Sequence, residues 1–499
     1  MDRLTRRSFI RWVITSGAAM ACPIPLPAAE AEKAAPETRM RREDFEVCHK
    51  VRDRVPLPLA APSRSVDVVV VGAGPSGLGA ADGLAGSDFM VLEKEPQVGG
   101  NAYSENWNGL EYCTGSAWIS MFSPEVKALM TRWKIDPPRI QGFDAVYAEG
   151  RWVRDFWDGR SDSARIDELP YDDGVKKGIR EFLKELEAMD LDKDMAALDA
   201  RPFSELLAGK PEPLRRYWDN FGLSNWGAEA KHSSAYIGAQ AARDWPKEPR
   251  YTYEGGLGGI SKRVFEGFPE DTKKRFVLGA AVYRVKRAGK RVLVGFMKDG
   301  RPECVSAKSV VFSGPKMMAS RVIDGLPKKQ VAAMQAIRYA PYPVYNLCFT
   351  RRVADVGYDS WVIGAKNFTD IVQADWVTRG RTAAPGDPQV LTLYAPMREN
   401  ERADLLDDEE SLLRAERAAA ELGEVFPGAL DHLAEVRVFR RGHAMPMSAP
   451  NWTTKVQPAA RKDFGPVYFA HSDAAGEVSD VAYGALAGVE AAAKALKHI

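Results

Sequence analysis

One stretch near the start of the body constrains the fold more than any other. Val68 to Val71 is an unbroken β-branched run, the composition of a strand buried on both faces. It runs straight into Gly72-Ala73-Gly74-Pro75-Ser76-Gly77, then into small residues from Leu78 to Leu84 that read as a helix. A second apolar run, Phe89 to Leu92, ends in the acid Glu93, 21 positions after Gly72. Each glycine has a physical reason to be there. Gly72 permits a tight turn, Gly74 lets backbone approach a pyrophosphate, and Gly77 lets helix and strand pack closely. The helix N-terminus offers unpaired N–H groups and a partial positive charge to phosphates, and Glu93 is placed for a ribose diol. The stretch therefore predicts a βαβ unit holding a dinucleotide, without separating a flavin from a nicotinamide.

Composition narrows the class. At 499 residues the chain is long enough for two or three domains, and 45% hydrophobic with 27% charged residues is ordinary globular usage. Lys and Arg number 69 against 68 Asp and Glu, which gives no basic excess of the kind nucleic acid requires. Five cysteines are too few for a disulfide scaffold, and no C-x2-C pair suggests a metal site.

Residues 1–31 read as an address. Thr5-Arg6-Arg7-Ser8-Phe9-Ile10-Arg11 resembles a twin-arginine export signal, followed by a modestly apolar run from Trp12 to Ala21 and a small-x-small site at Ala29-Glu30-Ala31. The apolar run is half the length that spans a bilayer, so no transmembrane segment is expected in the mature chain. The twin-arginine export machinery is thus an expected partner, and a periplasmic or otherwise exported location is expected. Residues 32–64 are rich in Ala, Pro and charge and read as a linker with a short arm on the body.

The residues after Glu93 resolve the cofactor. Glu93-Lys94-Glu95-Pro96-Gln97-Val98-Gly99-Gly100 resembles the extended FAD motif of the flavin-containing amine oxidase and phytoene desaturase superfamily, with Asn101 where an arginine is usual. Gly115-Ser116-Ala117-Trp118 is similar to the segment that passes the flavin ring, though Cys113 stands where an aspartate is usual. At the far end, Val467 to Asp473 reads as a strand ending in an acid, with Gly484-Ala485 opening an Ala-rich helix. The family closes similarly, which implies Asp473 on the ribityl chain and a helix N-terminus beside the flavin N1–C2=O edge. Between the ends, Phe276 to Val285, Arg291 to Phe296 and Ser309 to Ser313 read as strands leading to Gly314-Pro315, with Val282 placed for the adenine.

The resemblance implies a doubly wound α/β FAD-binding domain with an inserted α+β substrate domain. The FAD domain is expected from residues 65–120, 251–315 and 464–499, and the substrate domain from 121–250 and 316–463. Cofactor contacts are expected from Gly72, Gly74, Pro75, Ser76, Gly77, Glu93, Lys94, Gly99, Gly100 and Asn101. Gly115, Ser116, Ala117, Trp118, Val282, Asp473, Gly484 and Ala485 complete the set.

Departures from the family matter as well. Tyr342 to Phe349 lacks the lysine often found there, and the cage tyrosine three residues before Gly484 is Val481, with Tyr483 closer in. No cysteine follows Cys348, so a non-covalent flavin is expected. His443, His471 and Trp118 are the candidate catalytic residues, and no metal is expected. The implied reaction is hydride transfer from an amine or polyamine to flavin N5, with oxygen or an envelope electron carrier as acceptor. Two alternatives stay open: desaturation of a lipophilic, isoprenoid-type substrate, and a non-catalytic flavin-bearing assembly or interaction protein.

Overall fold

Two sheets, each built from strands far apart in sequence, meet along one cavity. The computed structural model describes residues 36–41, 43–120, 123–379, 384–474, 476 and 479–499; the export signal expected at 1–31 lies outside them.

In the first sheet, Arg64–Val71 runs parallel to Phe89–Glu93 on one side and to the second half of Arg301–Phe312 on the other. Phe276–Leu278 joins Phe89–Glu93, and Val467–Phe469 joins Arg301–Phe312, both parallel. Val68, Val69 and Val70 are fully buried, as a strand covered on both faces requires. One face is covered by the helices Pro75–Gly83 and Val481–His498, which cross at glycines. A Cβ at Gly79 would lie 2.1 Å from the Ala485 carbonyl oxygen, and one at Gly488 would lie 1.9 Å from that of Ser76. Backbone touches backbone here, and only glycine allows it.

The run Phe276 to Val285, expected as one strand, is two. Gly279 takes φ +69°, a left-handed turn that separates Phe276–Leu278 from Ala280–Ala288. The second piece opens an antiparallel meander through Arg291–Lys298 to Arg301–Phe312.

The second sheet has eight strands. Their order is Glu37–Arg41, Leu433–Phe439, Val344–Phe349, Gln389–Tyr394, Asp370–Gln373, Asp359–Val362, Ala145–Ala148 and Arg151–Val153. A helical layer made of Asp173–Glu187, Glu212–Trp226 and Ala235–Arg243 packs beside it around Phe182, Phe203, Trp218 and Trp226. The helix Asp408–Val425 buries Ala415, Ala418, Ala419 and Leu422 against the sheet. Helix starts follow capping chemistry: Ser123 Oγ accepts from the Val126 amide at 3.2 Å, and Asp172 from that of Val175 at 2.9 Å.

The segment read as linker and arm is more structured than its composition suggests. Glu37–Arg41 pairs in parallel with Glu435 to Phe439, and the helix Glu46–Arg52 packs on Ala280–Ala288. The arm therefore ties the two sheets together. Among the described residues, no helix is long and apolar enough to cross a membrane.

Candidate functional site

A continuous cavity of about 1760 Å³ runs between the two sheets. Ligand pockets for one small molecule occupy roughly 300–1,000 Å³, so this one has room for a large cofactor and a substrate together.

The cofactor end is built by the glycine turn. Gly72 takes φ +97°, and a Cβ on Gly77 would lie 1.9 Å from the Gly72 carbonyl oxygen, which is why helix and strand can sit so close. Gly72, Gly74, Pro75 and Ser76 line the cavity. Gly74 is the N-cap of Pro75–Gly83 with no side chain capping it, so the first amides of that helix remain available to an anion. Gly74 and Gly100 face each other; a Cβ on Gly100 would lie 3.2 Å from the Gly74 Cα and fill the gap. Gly99, with φ +116°, shapes the turn without lining the cavity. Glu93 is buried at the cavity wall; its carboxylate accepts from the Ala73 amide at 2.6 Å and the Glu95 amide at 2.9 Å. Burial pushes its carboxyl up while those two amides resist. An uncapped helix N-terminus, paired glycines and a buried acid fit a dinucleotide. Lys94 Nζ binds the Asp44 carbonyl of the arm at 3.2 Å and pairs with Glu95.

Further along the wall lie Asn101, Gly115, Ser116, Ala117, Trp118 and Val282. Asn101 does not replace the missing arginine as a cation; its amide ties down the Ala444 carbonyl at 2.7 Å. A cation does reach this region from the other sheet. Arg441 is buried in the cavity wall, donates to the Thr114 carbonyl and, at 3.1 Å, to its hydroxyl, and leaves Nε without a hydrogen bond. The sequence reading passed over it in the run Arg440 to Pro446.

Two expectations at the C-terminal end are corrected by geometry. Asp473 does not line the cavity: it is fully buried, and its carboxylate accepts from Lys316 Nζ at 2.7 Å, the Lys316 amide at 2.7 Å and the Tyr339 hydroxyl at 2.6 Å. Burial works to raise its carboxyl, yet His471 and Lys316 hold it well below the usual carboxylate range. The final helix begins at Val481, so Gly484 and Ala485 sit inside its first turns; Gly484 lines the cavity and Ala485 contacts Gly79. Its N-terminus is already capped. Asp480 accepts from the Ala482 amide at 2.7 Å and the Tyr483 amide at 3.0 Å, which occupies donors expected to face the flavin. Burial pushes the Asp480 carboxyl up to about 6 against those two bonds.

The candidate catalytic residues all line the cavity. Desolvation by the cavity walls, with Arg402 and His49 nearby, pulls His443 down to about 4, too weak a base for efficient proton uptake at neutral pH. His471 follows its strand rather than belonging to it, with φ +92°, and its Nδ1 accepts from the Asp473 amide at 3.1 Å. Trp118 has the Arg250 guanidinium 5.3 Å from its ring centroid.

The substrate end contains groups that the sequence reading missed. Tyr342 and Tyr394 meet edge to face at 5.8 Å and give the cavity an aromatic wall. Three acids, Asp144, Asp359 and Asp370, also line the cavity. Burial pushes Asp370 up to about 7, with the Thr369 and Ser224 hydroxyls resisting and Asp144 adding to the rise. Burial, then Asp144 and Asp370, drive Asp359 well above its ordinary range.

Both shifts are upward, so the stability they contribute is full below the ordinary value of 3.8 and is lost as pH rises, for Asp370 as it climbs through about 7. Asp370→Asn, which cannot ionise, is therefore expected to stabilise the protein by on the order of 1–3 kcal/mol near pH 8 and much less near pH 5. Melting curves at the two pH values check this, and a gain independent of pH would refute it.

Comparison with known proteins places this arrangement. The family model "Flavin containing amine oxidoreductase" matches residues 75–496. Oxidoreductase PigB of Serratia sp. is 23% identical over 272 residues, 52% of this chain and 40% of that protein. Putrescine oxidase of Kocuria rosea is 47% identical over 84 residues, 16% of this chain and 18% of that protein. Each match thus spans well under two thirds of the relative's length. Among solved structures, cyclohexylamine oxidase from Brevibacterium oxydans superposes with a TM-score of 0.65 at 19% identity, covering 87% of this chain and 99% of that one.

Proposed function

From the premise that this chain belongs to the flavin containing amine oxidoreductase family, we propose that it is an exported FAD-dependent enzyme that oxidises an amine or polyamine. The observation that carries the substrate class is the character of the cavity, where the buried carboxylates of Asp359 and Asp370 and the rings of Trp361, Tyr342 and Tyr394 line the same space as the glycine turn. An isoprenoid-type substrate is the weaker reading, because buried acids would face hydrocarbon with nothing to offset their desolvation.

FAD, when bound, supplies the acceptor for a hydride leaving the carbon beside the amine nitrogen. The rest is work for this chain's own residues. The uncapped helix at Gly74 would receive the phosphates and Glu93 the ribose, and Arg441 sets a positive charge into the wall between the sheets. Trp118, Tyr342 and Tyr394 confine the substrate and exclude water, which holds the reacting carbon in one orientation. His443 is held too low to act as a strong base, so the amine is expected to react from its neutral form. The acceptor that reoxidises the flavin is oxygen or an envelope electron carrier, and the flavin is held non-covalently.

The purified protein is expected to be yellow and to release FAD on acid denaturation. Anaerobic mixing with amines and polyamines should bleach the flavin absorbance, while isoprenoids should leave it unchanged. Bleaching by isoprenoids alone would reverse the substrate assignment, and a colourless protein that binds nicotinamide dinucleotide would remove the reading altogether.

A further inference from the structure

The acids at the substrate end lie on one face of the second sheet, and the strand register shows why. Asp370 pairs with Trp361 on one neighbouring strand and with Tyr394 on the other. Directly opposed residues share a face, and Asp359 lies two positions before Trp361, so Asp359, Trp361, Asp370 and Tyr394 all point the same way. That face lines the cavity.

The charges there do not balance. Arg250 lies 2.6 Å from Asp144 and is committed to it. Asp359 and Asp370 are 4% and 2% exposed, and Asp359 Oδ1 has no hydrogen-bond partner. The groups facing this pair from surrounding elements include Asp144, Arg250, Ser224 and the phenols of Tyr217, Tyr342 and Tyr358; none of these brings a further cation. Two adjacent buried carboxylates cannot both ionise without a counter-charge. Among the described residues, no three His, Cys, Asp or Glu side chains converge to hold a metal ion. The missing partner fits an organic cation, and the neighbouring rings of Trp157, Phe221 and Trp361 suit both its positive head and its methylene chain.

We propose that Asp359 and Asp370 form the seat for a substrate ammonium group remote from the reacting carbon, which makes the substrate a straight-chain diamine or longer polyamine. The inference rests on the amine-oxidising reading above. It assigns the acids to the distal nitrogen for a chemical reason. A carboxylate stabilises the protonated amine, whereas the nitrogen beside the departing hydride must carry a free lone pair. The two ends of the substrate therefore need opposite environments: acids at one, neutral aromatic wall at the other.

The test uses the FAD-loaded protein with its flavin reduced by dithionite under anaerobic conditions, so that binding is read without turnover. Straight-chain α,ω-diamines and monoamines of matching length are titrated calorimetrically. At one chain length the diamine is expected to bind at least about tenfold tighter than its monoamine. Asp359→Asn and Asp370→Asn are each expected to bring that ratio close to one while the flavin spectrum is retained. Equal affinity for diamine and monoamine at every length in the unaltered protein overturns the proposal, and this comparison does not depend on either variant folding. A preference that survives both substitutions overturns it too. The amine-oxidising reading fails by a different result: diamines that bind with this preference yet never bleach the oxidised flavin leave the subsite standing and remove the reaction.

Discussion

Replacing Lys316 with methionine is expected to cost about 3–5 kcal/mol, a large fraction of the stability of a typical domain. Lys316 and Asp473 are both fully buried, and the ammonium donates to the carboxylate at 2.7 Å and to the Ala470 carbonyl at 2.6 Å. Methionine fills a similar volume but removes the positive charge. Asp473 then keeps the Lys316 amide, the Tyr339 hydroxyl and His471 Nδ1 at 3.2 Å, but loses its lysine counter-ion in a site closed to water. The damage should also reach the cavity, because the Asp473 amide is bonded to His471 in its wall. Denaturant midpoints and flavin content, measured together, should both fall. The double variant Lys316→Met/Asp473→Leu should recover part of the lost stability, since it leaves no isolated charge. An unchanged midpoint in the single variant would sink the argument.

Gly488→Val is expected to lose the cofactor. Even the first carbon of the new side chain would lie 1.9 Å from the Ser76 carbonyl oxygen and 2.8 Å from the Ala80 nitrogen, and helix backbone cannot retreat without breaking its ladder. The final helix must shift outward, taking Tyr483 and Gly484 away from the cavity wall and disturbing the phosphate-facing turn at Ser76. Flavin-to-protein absorbance is expected to drop at least about tenfold, equivalent to 1.4 kcal/mol or more in affinity. Gly267→Val is the control, because a Cβ there meets nothing within 4 Å. Full flavin retention by the Gly488 variant would show that the two helices can separate harmlessly.

How much of this was legible in the chain follows from the range of each cause. Gly72, Gly74 and Gly77 answer to sterics within a few residues, so pattern and spacing were enough to place them. Glu93 was legible because strand, turn and acid follow in one short unit. The helix starts at Ser123, Asp407 and Asp480 all obey a local capping rule that the chain itself carries. Asp473 was misassigned because its partner, Lys316, is 157 residues away and carries no local mark. Asp359 and Asp370 escaped for a different reason. Their strands are short and mixed in composition, and only the register against neighbours decides which face an acid occupies. Gly279 split an expected strand because its left-handed turn is indistinguishable in sequence from a glycine tolerated within a strand.

The crossing of Pro75–Gly83 with Val481–His498 also fixes a sequence of events. A chain emerging from the ribosome presents its glycine turn early but must wait until Val481–His498 is made before the partnering helix exists. Contacts between such distant segments close late, and folds that depend on them form slowly. Until then the βαβ unit has an uncovered face, and neither the turn nor the second sheet can complete the cavity alone. The cavity is therefore completed only once Val481–His498 has been made, and a chain cut short before that helix is expected to hold no flavin.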